Sequence, residues 1–110
     1  MDSELTNKLD EIEAELRRIG YWSENPPNLQ AQYANGSARS YLDAPTFELW
    51  LQTIFLPNAR QAVASAALPA DSHVGTMALR QYDYHSSVPE AHRLVELLLE
   101  FDEMVRNKTR

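Results

Sequence analysis

Large aliphatic side chains recur at every third or fourth position along residues 5–19. They are Leu5, Leu9, Ile12, Leu16 and Ile19. This spacing follows the 3.6-residue repeat of an α-helix and places all of them on one apolar stripe. A helix of this length is marginal alone in water, so the stripe has to be buried against other helices. The chain is therefore predicted to fold by packing helix on helix.

The segment after this first helix predicts a long connection. Gly20 fits the left-handed position at which many helices end. Residues 22–43 are rich in Pro, Asn, Gly, Ser and Gln, a composition typical of loops. Loops longer than about 15 residues are uncommon in compact domains. We therefore expect residues 22–43 to lie over the core, with a short helical turn at residues 28–33.

The second predicted helix has apolar side chains on two faces. Asp43 is expected to be its N-cap, with Pro45 in its first turn. One face carries Phe47, Trp50, Leu51 and Ile54. At about 100° per residue, Leu49 and Leu56 fall on the opposite face. Pro57 is expected to kink this helix or to start a new one, because it lacks a backbone N–H.

The remainder of the chain predicts a short helix at residues 76–81 and a long final helix. Ser87 and Glu90 form a capping box ahead of the final helix. Its inward stripe is Ala91, Leu94, Val95, Leu98, Phe101 and Val105. No segment alternates as a strand does. We therefore expect one all-α domain over residues 1–110, a four-helix up-and-down antiparallel bundle with a long loop between helices 1 and 2.

Composition excludes several classes of function. The 110 residues carry 16 acidic and 10 basic side chains, a net charge of -6. Such a surface repels phosphate backbones, so direct binding of nucleic acid is disfavoured. The absence of cysteine excludes disulfides, thiolate metal sites and cysteine nucleophiles. The three glycines cannot form a dinucleotide-binding fingerprint or a P-loop.

The sequence also bears on the location of the protein. Its first residues are acidic, the opposite of a secretory or transit leader. The most apolar run, residues 47–57, is interrupted by Glu48 and Gln52. It is also shorter than the about 20 residues that a membrane-spanning helix needs. We therefore expect a cytoplasmic protein without a membrane partner.

No catalytic or metal-binding pattern is evident. His73, His85 and His92 lack the spacing of zinc or di-iron sites. Asp71 and Asp83 have no spacing that would pair them for acid–base work, and no nucleophile elbow occurs. We therefore predict no catalytic residue, no metal site and no cofactor.

Two pairs of residues are candidates for a protein-interaction surface. Leu49 and Leu56 form the second apolar face of their helix, and Tyr82 and Tyr84 stand in the run YDYH before the final helix. Aromatic loops of this kind often recognise partners. The same side chains also have a structural interpretation. The long loop could cover the leucines, and the tyrosines could pack on the core with their hydroxyls in water.

A small-molecule site between the helices is the alternative to a protein-interaction surface. It would lie under the loop 22–43 and be lined by Trp22, Tyr41, Trp50 and Tyr84. Helical bundles hold ligands in this way.

Several residues carry a resemblance to a known family. They are Trp22, Asp43, Trp50, Leu51, Gln52, Pro57, Leu68, Pro69 and Met77. In these residues the chain resembles the YqcC-like family of small bacterial proteins, over nearly its whole length. The most specific part of the resemblance is the spacing from Asp43 through WLQ to Pro57. The family pattern has Pro-Phe, Arg-Met and Pro where this chain has Arg39-Ser40, Asn58-Ala59 and Thr76.

This resemblance implies a four-helix bundle linked by name and gene neighbourhood to tRNA pseudouridine synthase C. Pseudouridine synthases use a catalytic aspartate in a mixed α/β fold, and the resemblance extends to none of their catalytic domains. It therefore implies a partner of such an enzyme, a non-catalytic accessory or protein-interaction module. Given its acidic charge, the chain is expected to contact the enzyme rather than the tRNA.

Overall fold

The structure is a computed structural model that describes residues 3–36, 46–68, 72–84 and 89–108. All regular structure in these ranges is helical, which confirms the all-α prediction. The helices are α1 (Ser3–Arg18), α2 (Leu29–Ala34), α3 (Phe47–Trp50), α4 (Leu56–Ala64), α5 (Val74–Leu79) and α6 (His92–Lys108). A π-helical turn, Leu51–Phe55, joins α3 to α4. A second π-helical turn, Arg80–Tyr84, extends α5, and a 3-10 turn, Pro89–Ala91, precedes α6. The up-and-down order of four helices stays a prediction.

Four of the five residues of the predicted apolar stripe are buried in α1, whereas the fifth, Ile19, follows the end of the helix and is half-buried. Leu5, Leu9, Ile12 and Leu16 are each 0% exposed, and α1 packs against α6 and α4. Burying each such side chain stabilises the fold by about 1.5 to 3 kcal/mol, before the cost of ordering the chain is subtracted. Burial of this stripe explains why α1 is stable in the protein.

Gly20 ends α1 in the predicted left-handed conformation, with a φ of 81°. The N–H of Tyr21 donates to the carbonyl of Leu16 at 2.9 Å, and the N–H of Gly20 donates to the carbonyl of Arg17 at 3.2 Å. These two bonds form a Schellman motif, which satisfies carbonyls that the helix end would leave without partners. The motif turns the chain back toward the core.

A buried glutamine ties the segment after α1 to the helix that contains the WLQ triplet. Gln52 is 8% exposed. Its Nε2 donates to the carbonyl of Ser23 at 2.8 Å, and its Oε1 accepts from the N–H of Ser23 at 2.9 Å. Further along, Leu29 is 1% exposed and α2 contacts the first π-helical turn. The described part of the predicted loop is therefore anchored to the helices at Ser23 and Leu29, although most of its other residues are exposed. Residues 37–45 lie outside the described residues.

The prediction of Asp43 as the N-cap of the second helix was wrong. That helix begins at Phe47, and Thr46 caps it in an extended conformation. The Thr46 Oγ1 accepts from the N–H of Leu49 at 3.2 Å. Threonine supplies the same kind of cap oxygen that aspartate would, three residues later along the chain. Asp43 itself lies outside the described residues.

The predicted interruption at Pro57 takes the form of a π-helical turn. The N–H of Leu56 donates to the carbonyl of Leu51, five residues back. Pro57 has no N–H to donate to the carbonyl of Thr53, four residues back. That carbonyl accepts instead from Gln30 Nε2 of α2 at 2.8 Å. Helix α4 therefore continues from α3, with the π-helical turn accommodating the proline.

Helices α5 and α6 approach each other closely. A Cβ atom added to Gly75 would lie 2.5 Å from both the Cα and the N of Leu99. Since real Cβ atoms do not come so near to backbone, glycine is the residue that permits this contact. The short helix predicted at residues 76–81 is present as α5, but it begins earlier, at Val74, and so includes Gly75.

The described surface offers little exposed apolar area. Among residues 3–36, 46–68, 72–84 and 89–108, Leu99 is the one large hydrophobic side chain counted as exposed, at 37%. None of the helices in these ranges combines the length and the apolar character needed to cross a bilayer. A small-molecule site in the described part of the chain is therefore best sought in a concave region.

Candidate functional site

Six aromatic rings form a continuous row through the protein, here called the aromatic ladder. In spatial order they are Tyr21, Tyr82, Phe47, Trp50, Phe55 and Phe101. The centroids of neighbouring rings are 5.3 to 6.1 Å apart, within the range at which aromatic pairs attract. The ladder connects the end of α1 with the middle of α6.

At the Phe101 end, the ladder borders a half-open cavity of about 330 Å³. We call it the Trp50 cavity. Its largest apolar lining residues are Trp50, Ile54, Phe55, Leu68, Met77 and Phe101. Asn58, Ser72 and His73 supply polar side chains, and none of the described residues that line it is Asp, Glu, Lys or Arg. The cavity thus has an apolar interior and a small number of polar groups.

Asp102 holds one wall of the Trp50 cavity in place. Its carboxylate is 1% exposed and accepts from the N–H of Val74 at 3.0 Å and from the N–H of Gly75 at 2.7 Å. The hydroxyl of Ser72 also donates to it. A carboxylate of α6 therefore caps the N-terminus of α5, where backbone N–H groups and the helix dipole favour negative charge. Ser72 and Val74 both line the cavity, so its wall depends on this cap.

Two tyrosine–glutamate pairs lie at the other end of the aromatic ladder. The Tyr82 hydroxyl donates to Glu48 Oε2 at 2.6 Å, and the Tyr21 hydroxyl donates to Glu90 Oε1 at 3.4 Å. Burial, followed by the hydrogen bond and charge of Glu48, raises the pKa of Tyr82 well above its usual value. Burial, followed by the charges of Glu90 and Glu48, raises the pKa of Tyr21. Both phenols are therefore neutral at physiological pH, where they donate hydrogen bonds to these carboxylates.

The raised pKa of Tyr82 predicts a loss of stability in alkali. The unfolded chain ionises its tyrosines near pH 10, whereas the folded protein keeps Tyr82 protonated. The contribution of this phenol is fully present below about pH 10 and decreases as the pH rises above it. In urea titrations from pH 8 to 11, Tyr82→Phe should therefore lose less stability with rising pH than the wild type. Equal losses in the two proteins would contradict the burial of this hydroxyl.

Of the four residues predicted for an interaction surface, two were placed wrongly. Leu56 is 2% exposed and Tyr82 is 5% exposed, so both belong to the core. The π-helical turn explains why Leu56 is buried. Such a turn contains more than 3.6 residues, so it rotates the positions after it away from the face that they would occupy in a straight α-helix. Tyr82 packs on Tyr21 and Phe47 with its hydroxyl on Glu48. Leu49 is half-buried, and the side chain of Tyr84 lies outside the described residues.

Of the four residues predicted to line a ligand site, Trp22 and Trp50 are the two whose side chains the structure describes. Trp50 lines the Trp50 cavity, whereas Trp22 is absent from that lining. The guanidinium of Arg17 lies 4.2 Å from the centre of the Trp22 ring, a cation–π contact at the end of α1. Tyr41 and the side chain of Tyr84 lie outside the description.

The sequence reasoning missed most of the Trp50 cavity. Asn58 and Ala59, two of the positions at which the chain departs from the YqcC-like pattern, both line it. So do Leu68 and Met77, which carry part of the resemblance. The available signal was the row of small side chains in α4, Ala59 and Ala62, which leaves space opposite large aromatic rings.

The histidines do not assemble a metal site in the described structure. His73 borders the Trp50 cavity, His92 is exposed at the start of α6, and His85 lies outside the described residues. Within the part of the chain that the structure describes, no three His, Asp or Glu side chains lie close enough together to hold a metal ion. Several described carboxylates act instead in a helix cap or in ion pairs, as Asp102, Glu100 and Asp10 do.

No curated protein and no solved structure matches this chain. One family does, over residues 4–104, and its description reads tRNA pseudouridine synthase C. The match includes α1 from Glu4 onward, every described lining residue of the Trp50 cavity except Val105, and most of α6. The chain therefore belongs to the family described as tRNA pseudouridine synthase C, which confirms the resemblance to the YqcC-like proteins.

Proposed function

We propose that this protein is a non-catalytic, cytoplasmic helical module that binds a protein partner, and that the partner is an enzyme of tRNA pseudouridine synthesis. The description of the family connects the chain to this process. The single observation that carries the proposal of a protein partner is the distribution of charge on α1 and α6. We retain the four-helix up-and-down bundle as the predicted architecture of the module.

Two basic side chains of this surface, Lys8 and Arg93, are engaged by carboxylates of the same chain. Lys8 Nζ lies 2.7 Å from Glu100 Oε1, and Arg93 lies within ion-pair distance of Glu11, Glu96 and Glu100. The hydrogen bond that Lys8 donates lowers the pKa of Glu100, which keeps this carboxylate ionised. A net charge of -6 remains on the chain. Such a surface repels tRNA and attracts a basic protein surface.

A second cluster of ion pairs extends the same pattern to α4. Arg60 contacts Asp10 at 2.9 Å and Glu13 at 3.2 Å. Since an enzyme that binds tRNA needs a basic surface of its own, an acidic module is electrostatically complementary to it. This complementarity favours contact with the enzyme over contact with its substrate.

The surroundings of the described aspartates support a non-catalytic role. Asp102 is buried and accepts three hydrogen bonds at the N-terminus of α5, so its carboxylate does not face a cavity. Asp10 is exposed and paired with Arg60. Asp102 therefore lacks the open position that a nucleophile or a general base requires, and Asp10 stands on the protein surface in contact with a cation.

Direct binding measurements test the proposal. We expect the purified protein to bind a tRNA pseudouridine synthase of its own organism, more weakly as salt rises, and not to bind tRNA alone. The double variant Glu11→Gln with Glu100→Gln should bind the enzyme about fivefold more weakly at low salt. Glu24→Gln, an exposed acid outside α1 and α6, is the control and should bind nearly as the wild type does. Binding to tRNA, or no binding to the enzyme at low salt, would contradict the proposal.

A small-molecule-binding function is the second candidate. The observation that favours it is the Trp50 cavity, whose volume of about 330 Å³ and apolar lining with a few polar groups suit a ligand. Of the residues predicted for such a site, Trp50 is the one that lines this cavity. The site proposed here therefore lies between α4, α5, α6 and the π-helical turn Leu51–Phe55.

A further inference from the structure

We propose that the Trp50 cavity binds an uncharged aromatic molecule of one or two fused rings. This inference deepens the second candidate function and is independent of the proposed protein partner. It rests on the volume of the cavity, on the charge of its lining and on the way its walls are held.

The volume of the cavity sets the size of the ligand. A buried apolar cavity of about 150 Å³ accommodates benzene. The Trp50 cavity, at about 330 Å³, has roughly twice that space. It is near the lower end of the range for ligand pockets, about 300 to 1,000 Å³. A bicyclic ring of the size of naphthalene or indole therefore matches it.

The lining sets the charge and the shape of the ligand. Among the described lining residues, His73 is the one with an ionisable side chain, and it is exposed at the open side of the cavity. The interior therefore offers no charged group to pair with a buried ion, and burying an unpaired charge is costly. The rings of Phe55 and Phe101 meet edge to face, with planes at 88° and centroids 5.3 Å apart. Together with Trp50 they present aromatic faces and edges to a planar guest. These features favour a flat, neutral molecule.

Two polar side chains supply a place for a hydrogen-bonding substituent. Asn58 and His73 line the cavity and are themselves solvent-exposed, so they stand on its open side. Met77, with its flexible thioether, can adapt to the outline of the ring. A ring with one hydroxyl or N–H at its edge would keep this group near the solvent and the rest of its surface within the cavity.

The walls of the cavity are held by interactions that do not need a ligand. The carboxylate of Asp102 holds Ser72 and Val74 by accepting hydrogen bonds from both residues. Gly75 allows α5 to pack closely on α6. On the opposite side, Ile54 and Phe55 belong to a π-helical turn, an irregularity that is frequent at functional sites. A site formed before binding loses less entropy when the ligand enters.

Calorimetric titration with matched probes tests the inference. We expect 2-naphthol and indole to bind saturably with one molecule per chain. The charged analogue 2-naphthalenesulfonate should bind at least about tenfold more weakly. Two substitutions in α4 fill the cavity, Ala62→Phe and the smaller change Ala59→Leu. Each should weaken the binding of 2-naphthol about tenfold. Gln61→Phe adds the same ring to an exposed position of α4 and should leave binding unchanged.

Three results of these titrations would overturn the inference. Absence of saturable 2-naphthol and indole binding, or binding that survives in both filling variants of a folded protein, would overturn the inference. So would equal affinity for the sulfonate. A thermal-shift screen of metabolites separates this failure from failure of the second candidate function. Stabilisation by charged compounds alone would refute the neutral ligand, whereas stabilisation by no compound would refute ligand binding as such.

Discussion

Replacing Gly75 with alanine is expected to destabilise the protein by about 3 kcal/mol, the upper part of the usual range for overpacking. The added Cβ would lie 2.5 Å from the Cα and N of Leu99, and 2.8 Å from the carbonyl carbon of Leu98. These are backbone atoms of α6, which cannot turn aside as a flexible side chain could. Helices α5 and α6 would have to separate, and the melting temperature should fall by about 10 to 20 °C.

Thr76→Ala is the matched control for Gly75→Ala. Thr76 lies in the same helix and is half-buried, and its shortening adds no atom to the contact with α6. We expect it to change the free energy of unfolding by less than about 1 kcal/mol. Calorimetric melting of both variants measures the difference. A Gly75→Ala protein that melts with the wild type would show that α5 does not lie as close to α6 as described.

Replacing Asp102 with alanine is the second change from which we expect a large effect, a loss of about 3 kcal/mol. The variant would leave the hydroxyl of Ser72 and the N–H groups of Val74 and Gly75 without their acceptor. Buried donors without partners are costly, and α5 would also lose the negative charge at its N-terminus. Urea denaturation followed by far-ultraviolet circular dichroism gives the free energy.

Two further substitutions show which property of Asp102 matters. Asp102→Asn keeps the size and one carbonyl acceptor, so it should lose less stability than alanine does. Glu103→Ala removes an exposed carboxylate from the next position of α6 and should have little effect. If Asp102→Ala and Glu103→Ala proved equally mild, the cap on α5 would not be the interaction that holds this wall of the Trp50 cavity.

The helices with the most regular patterns were the most predictable from the sequence. The stripes of α1 and α6 repeat at helical spacing over several turns, and their side chains are buried as expected. The end of α1 was also predictable, because Gly20 supplies a left-handed residue at the place where the stripe stops. Such features depend on neighbours in the chain, which a sequence displays directly.

The candidate site was much less predictable because it depends on tertiary contacts. The Trp50 cavity combines residues from α4, α5 and α6 that no spacing rule relates. The face of Leu56 was misjudged because the extra residue of a π-helical turn has no clear signal in the sequence beyond Pro57. The burial of Asp102 was missed for a similar reason. A carboxylate four residues before an arginine, as Asp102 is before Arg106, is typical of an ion pair on a helix surface, whereas this carboxylate accepts from N–H groups of α5.

The packing of α1 on α6 also affects when the protein can fold during its synthesis. Lys8 meets Glu100, a partner 92 residues later in the chain. At about 5 to 20 residues per second, the ribosome needs roughly 5 to 20 s to make that interval. During this time the stripe of α1 has emerged and cannot yet bury its leucines against α6. The nascent chain therefore exposes an apolar helix surface before it folds, which makes it a candidate client of chaperones that bind such segments.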